Sequence, residues 1–347
     1  MSKVLVAMSG GVDSAVSAYL IKSRGYDAIG ATMKLYCPGK NHITDEMADA
    51  RAVAQIVGIE HTVLDYEKDF CSMVIDPFVA AYENAQTPNP CITCNETLKF
   101  GKMMKAAHAI GADFLATGHY ARIEQDLHGR YLLRRAADPT KDQSYVLYHL
   151  TQAQLSKVLF PLGEYSKAQV REIAQSLGFH NSHKGDSQDI CFVPDGDYAA
   201  FIKQYTGKQY PEGDFISEDG SILGRHRGII HYTIGQRKGL GIALGRPVFV
   251  CRKDPISNTV TLSDNESLFS KDLLLKKINW IPFDMLQNPM RIQAKIRYNM
   301  QAQPAVVEQV DDDCVRVIFD QPQRAATPGQ SAVFYDGEYV IGGGIIV

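Results

Sequence analysis

The opening run KVLVAMSGGVDSAVSAYLIKSRG (3–25) limits the fold more than any other stretch. KVLVAM is a continuous apolar strand, SGG a glycine turn, and the helix that follows, from about Asp13 to Ser23, is closed by Gly25. The pattern then alternates. YDAIGATMKL (26–35) reads as a second strand, DEMADARAVAQIVG (45–58) as a helix stopped by glycine, and EHTVLDY (60–66) as a third strand. Helical periodicity covers about 68–85 and 97–110, and ADFLATGHYAR (112–122) reads as a strand running into a polar tip. Strands alternating with helices predict an α/β domain, a doubly wound parallel sheet. Ligands in such sheets sit at the carboxyl ends of the strands. Here those ends carry SGGVDS (9–14), Met33 and TGHY (117–120).

Helical character continues through SYVLYHLTQAQLSKVLF (144–160), and SKAQVREIAQSLG (166–178) opens with a capping box, Ser166 with Gln169. The Gly, Pro and Tyr of YTGKQYPEGDF (205–215) mark a boundary, with short strands and glycine turns beyond it. From about 274 apolar and polar residues alternate between turns such as DDD and DG, which predicts a small antiparallel β-barrel. The expected division is a catalytic domain over 1–205, a small mainly-β central domain over 206–270, and the barrel over 271–347.

The 36 basic and 39 acidic residues leave a net charge of −3, so bulk charge gives no pull toward nucleic acid. Any such surface must come from local clusters: Arg225, His226 and Arg227; Arg237 and Lys238; Lys276 and Lys277; Arg291, Lys295 and Arg297. Tyr232, Trp280 and Tyr298 stand close by in sequence. No apolar run approaches the roughly 18 residues of a membrane helix. The chain enters its first strand almost at once, leaving no room for a signal peptide. Seven cysteines, an odd number over 347 residues, make a poor disulfide framework. A cytoplasmic protein without membrane partners is expected.

SGGVDS between a strand and a helix can present backbone N–H groups to phosphates at a helix N-terminus. Asp13 is placed to cap that helix or to hold magnesium. No Gly-Lys-Ser/Thr follows, so this is not a Walker loop. It resembles the loop of ATP pyrophosphatases, which release pyrophosphate from ATP while adenylating a substrate. A second constellation is TPNPCITCNETLKF (87–100), where Cys91 and Cys94 lie three apart behind two prolines. Such a pair serves as a redox dithiol, half a zinc site, part of an iron–sulfur site, or a covalent nucleophile. With the helix expected from about Glu96, a thiolate here gains from the helix dipole. Cys191 in SHKGDSQDICFV (182–193) is a third thiol in a polar, turn-like stretch near Lys184. Cys37, Cys71, Cys251 and Cys314 read as packing or surface residues.

SGGVDS, TPNPCITCN, ATGHYAR, KDQSY (141–145), DSQDICF, YTIGQRKGLGI and TPGQSAVFY (327–335) occur in the order found in tRNA-specific 2-thiouridylases, and the resemblance spans essentially the whole chain. It implies a pyrophosphatase domain, a small central domain and a C-terminal barrel. The implied activity replaces O2 of the wobble uridine of tRNA with sulfur, using ATP, with magnesium, and a persulfide from a sulfur-relay protein. By motif position, Cys94 is the implied nucleophile and Cys191 the persulfide carrier, with a Cys94–Cys191 disulfide left after turnover. The implied ATP contacts are Ala7, Met8, Ser9, Gly10, Gly11, Val12, Asp13, Ser14, Met33 and Gly118. Asn89, Pro90 and Cys91 would lie against the target base. Lys141, Asp142, Gln143, Arg297 and Tyr298 would touch tRNA, with His119 and Gln330 as two further tRNA-facing positions. Some members carry aspartate where this chain has Cys91.

Two other readings stand beside this one. An amide-forming synthetase could use the same loop on a small-molecule carbonyl, but it has no need of three placed thiols. A metal-binding module could use Cys91, Cys94 and Cys191 as ligands. Zinc lacks a second Cys-x-x-Cys, whereas an iron–sulfur cluster with one open iron needs only three cysteines.

Overall fold

The structure, a computed structural model, describes residues 1–36, 42–183, 190–193 and 195–347. The first strands are β1 (Lys3–Ala7), β2 (Asp27–Lys34), β3 (Glu60–Asp65) and β4 (Phe114–Ala116). A hairpin of β5 (Ala121–Gln125) and β6 (Tyr131–Arg135) comes next, then β7 (Val158–Leu159). β1 to β4 and β7 form a parallel sheet in the order β3-β2-β1-β4-β7. The chain steps outward from β1 to β3 and then returns to the other side of β1. The topological switch point therefore lies between β1 and β4.

Strand β1 shows why its sequence is apolar after Lys3. Val4 and Val6 face a core built on the Val12–Ser23, His42–Val57 and Lys167–Ser176 helices. Leu5 faces the opposite core, with Phe100, Met103, Leu115 and Tyr145. A strand covered on both sides has no polar face to display.

The central strands β8 (Gly213–Ile216), β9 (Ile222–His226), β10 (Phe249–Asp254) and β11 (Thr259–Ser263) form a sheet in the order β10-β11-β8-β9. Its core is shared: Phe215, Val250 and Val260 pack in one cluster with Phe70, Phe78 and Tyr82 of the first domain's helices and with Phe192 and Val193. The last six strands are β12 (Phe269–Trp280), β13 (Met290–Lys295), β14 (Gln303–Asp311), β15 (Cys314–Arg324), β16 (Ser331–Asp336) and β17 (Tyr339–Ile346). They close into an antiparallel barrel through the β12–β17 pairing. β17 also pairs with β6, Tyr339 opposite Arg134 and Val340 opposite Leu133, so the hairpin of the first domain extends the barrel sheet.

Three local expectations are corrected. The stretch 112–122 is not one strand: β4 ends at Ala116, and Gly118 then packs so closely that a Cβ there would stand 3.1 Å from the Asp13 carbonyl carbon. The stretch 144–160 holds only a short 3-10 turn, a four-residue helix and β7. Tyr145, Leu147, Tyr148 and Leu150 are all buried, which a one-sided helical face cannot achieve. The helix expected over 97–110 begins earlier, at Pro90, and runs on through a wide π-type segment, Asn95–Met103, to Ala109. Among the described residues no helix is long and apolar enough to cross a membrane.

Candidate active site

The SGGVDS loop (9–14) lies at the carboxyl end of β1, beside the switch point. Gly10 adopts φ +76°, and a Cβ there would come within 2.5 Å of the Glu46 carbonyl oxygen, so glycine is required on both counts. Gly11 is the helix N-cap and brings no side-chain oxygen, which leaves the first amides of the Val12–Ser23 helix for an anion. Ser14 Oγ donates to the Gly11 carbonyl at 2.9 Å and accepts from the Ser9 amide at 3.1 Å, fixing the loop against its helix. Met8 is buried under the loop, with its carbonyl accepting from Thr32 Oγ1 at 2.7 Å. Of the other residues expected to contact ATP, Ala7 ends β1, Val12 is buried at the start of the helix, Met33 lies near the end of β2, and Gly118 packs against Asp13.

Asp13 neither caps the helix nor offers an open carboxylate. Lys167 Nζ lies 2.7 and 2.8 Å from its two oxygens, and Tyr120 donates to Oδ1 at 2.7 Å. With donors on both oxygens, this carboxylate does not fit magnesium ligation as arranged. Asn181, fully buried, donates to the Gly10 carbonyl at 2.8 Å, while its Oδ1 has no hydrogen-bond partner among the described residues. Lys167, Tyr120 and Asn181 escape a sequence reading because they join the loop from 107 to 171 residues away.

The thiol helix begins at Asn89, whose side chain accepts from the Cys91 and Ile92 amides at 3.1 and 3.3 Å. Pro90 fills the first helical position and is buried. Cys91 is exposed and Cys94 half-buried, so both thiols fall inside the first turns rather than ahead of the helix. Their environment reverses the dipole expectation. Crowding by surrounding protein pushes both thiols above their ordinary range, and only Lys99 pulls the other way. Lys99 follows Cys94 by five residues, the hydrogen-bond spacing of the wide π-type segment that Cys94 caps, so the same helix carries the thiol and its cation.

Cys191 is exposed, and the next residue, Phe192, is buried among Phe70, Phe78 and Phe201 with ring centroids 5.1–5.6 Å apart. Cys94 packs against the same cluster. One aromatic core thus anchors the chain beside both thiols. Cys71, Cys91, Cys94, Cys191, Cys251 and Cys314 are not in disulfides; Cys37 and Lys184 lie outside the described residues. Among the described residues no three His, Cys, Asp or Glu side chains come together to hold a metal. Cys91, Cys94 and Cys191 therefore do not fit an iron–sulfur cluster as arranged.

Several residues expected to contact RNA also make bonds that brace the site. Gln330 donates to the Thr87 carbonyl at 2.8 Å, and Thr87 donates to the Pro328 carbonyl at 3.0 Å, so the barrel holds the loop before Pro90. Gln143 accepts from the Tyr120 amide at 2.9 Å, and Asp142 accepts from the Ala136 and Ser144 amides at 3.1 Å. Arg297 is half-buried, donating to the Ala325 carbonyl and to Thr327 Oγ1. His119 is buried, with Nδ1 2.8 Å from Thr117 Oγ1, and burial pulls its pKa well below the ordinary value. Tyr232 and His226, each 1 % exposed, belong to the central core, and Trp280 packs on Phe334 and Phe283. What stays displayed is Tyr298, 38 % exposed and within electrostatic reach of Cys91, with Lys295 Nζ 5.3 Å from its ring centroid. Lys141 is half-buried, and Arg225, Arg227, Arg237, Lys238, Lys276, Lys277 and Arg291 are exposed. Of these, Arg225 and Arg291 are engaged by Asp214 and Asp320.

Comparison with known proteins covers the same three parts. Residues 2–195 match the family model described as "tRNA methyl transferase HUP domain", residues 199–264 the "tRNA methyl transferase PRC-barrel domain", and residues 270–346 the "Aminomethyltransferase beta-barrel domain". The tRNA-specific 2-thiouridylase MnmA of Clostridioides difficile is 50% identical over 99% of this chain and 98% of its own length. Those of Clostridium acetobutylicum and Halothermothrix orenii are 49% and 48% identical, over 99% and 100% of this chain and 99% of their own lengths. At that identity over the full length, the chain belongs to the tRNA-specific 2-thiouridylase family.

Proposed function

We propose that this chain uses ATP to replace O2 of the wobble uridine of tRNA with sulfur, accepting the sulfur from a persulfide-donor protein. The observation that carries the reading is the likeness, at half identity and over the whole chain, to proteins named tRNA-specific 2-thiouridylases. The site supports it: a glycine-bounded helix N-terminus suited to phosphates, and two thiols anchored on one aromatic core.

In the proposed sequence the loop of Ser9 to Ser14 holds the triphosphate while O2 of the uridine attacks the α-phosphorus and pyrophosphate leaves. C2 now carries AMP as leaving group. The outer sulfur of a Cys191 persulfide attacks C2, loses its proton, and AMP departs with the former O2. The Cys94 thiolate then attacks Sγ of Cys191 and releases the 2-thiouridine, leaving a Cys94–Cys191 disulfide. A thiol reductant returns both cysteines to thiols by exchange. No step runs through a metal cluster. Tyr298, 38 % exposed, offers a ring on which a flipped base can stack.

The test is incubation of the protein with unmodified tRNA, ATP and a persulfide donor, followed by nucleoside mass analysis. Sulfur-for-oxygen exchange at the first anticodon position supports the reading. AMP release on a small carbonyl substrate without tRNA supports the synthetase instead.

A further inference from the structure

Lys167 is in an adverse place for a cation. It is the first residue of the Lys167–Ser176 helix, where the dipole disfavours positive charge, and it is 7 % exposed. A buried cation at a helix N-terminus conflicts with local preference, and such conflicts concentrate at functional sites. Its partner explains the placement: Nζ spans both oxygens of Asp13, at 2.7 and 2.8 Å, in the first turn of the nucleotide-loop helix. Tyr120, 2 % exposed, adds its hydroxyl to the same carboxylate, and Gln143 fixes the Tyr120 amide. Gly118 closes the other side with its backbone against Asp13 and Ser14. Two segments far apart in the chain, 118–120 and Lys167, thus converge on Asp13, whose carboxylate would otherwise stand, negative, beside the amides meant for phosphates.

We propose that Lys167 is a positioning residue of the nucleotide loop, neutralising Asp13 so that a nucleoside triphosphate can dock on the helix N-terminus without repulsion. The inference rests on the ATP reading above and assigns Lys167 no contact with the nucleotide. Without its cation, a partly buried carboxylate would face the polyphosphate. Without both charges, the repulsion would disappear along with its remedy.

Equilibrium binding of ATP and of adenosine to the wild type, Lys167→Met, Asp13→Asn and the double variant tests this. The expected result is a loss of at least about tenfold in ATP affinity for Lys167→Met, with adenosine affinity held within about twofold. The double variant should regain most of the loss and match Asp13→Asn. If Lys167→Met binds ATP as the wild type does, or loses adenosine equally, the proposal is overturned. A double variant as weak as Lys167→Met also overturns it, because Lys167 would then touch phosphate directly. Should Lys167→Met not fold, the comparison of Asp13→Asn with the double variant still decides, since neither strands a buried carboxylate. A wild type that does not bind ATP refutes the ATP reading itself, a separate and recognisable outcome.

Discussion

At Cys94 burial, with a smaller push from Cys91, favours the neutral thiol, and Lys99 favours the thiolate. Removing the cation leaves burial unopposed. Lys99→Met should therefore move the pH profile of Cys94 alkylation to higher pH, with slower labelling at any fixed pH below the transition. Mass spectrometry of iodoacetamide-treated protein reads this directly, with Cys314, buried in the barrel, as the internal reference. An unchanged profile would mean that Lys99 does not set the thiol. This residue stood within the motif, yet its role was not legible there. A spacing of five has no meaning on an ordinary 3.6-residue helix and acquires one only in the wide segment Asn95–Met103. Lys167 was hidden for another reason: an ion pair across 154 residues leaves no local signature.

At the scale of elements, the loop before the thiols is held from outside its own domain. Gln330 bonds the Thr87 carbonyl, and Gly329 packs so tightly that a Cβ would lie 3.2 Å from Gln86 Cβ. Gln330→Ala should cost about 1 kcal/mol of stability and lower the thiolation rate while leaving ATP affinity within about twofold. Denaturant melts and ATP titration check the two halves separately; a parallel fall in ATP affinity would contradict the assignment. Elements of the first half were legible where periodicity is local and one-sided, as in the Val12–Ser23 helix and β1 to β3. They were not legible at 144–160, where burial on all sides erases the period, or at β6, whose pairing partner β17 lies about two hundred residues on.

Across the whole molecule the three parts are fused rather than strung. The central sheet shares its core with the first domain's helices, and the barrel shares a sheet with the first domain's hairpin. Lys253 sits in that first seam, 9 % exposed, donating to the Tyr232 carbonyl at 2.8 Å and lying over the Tyr82 ring. Burial lowers its pKa from 10.5 to about 8. The unfolded chain thus binds the extra proton between those values, and stability rises with pH through that window. The penalty fully present below pH 8 is of order 3 kcal/mol. Urea melts of the wild type and Lys253→Met between pH 7 and 10 should show the variant's advantage shrinking as pH rises. A constant difference would place the cost elsewhere.

In the proposed reaction ATP activates the uridine, and two thiols, Cys94 and Cys191, hand over the sulfur. The most direct measurement is one assay on the wild type, Cys94→Ser and Cys191→Ser with unmodified tRNA, ATP and a persulfide donor, scoring 2-thiouridine by nucleoside mass. Thiolated nucleoside is expected from the wild type and none from either variant, while both still bind tRNA and ATP. Full thiolation by either variant would contradict the proposed reaction.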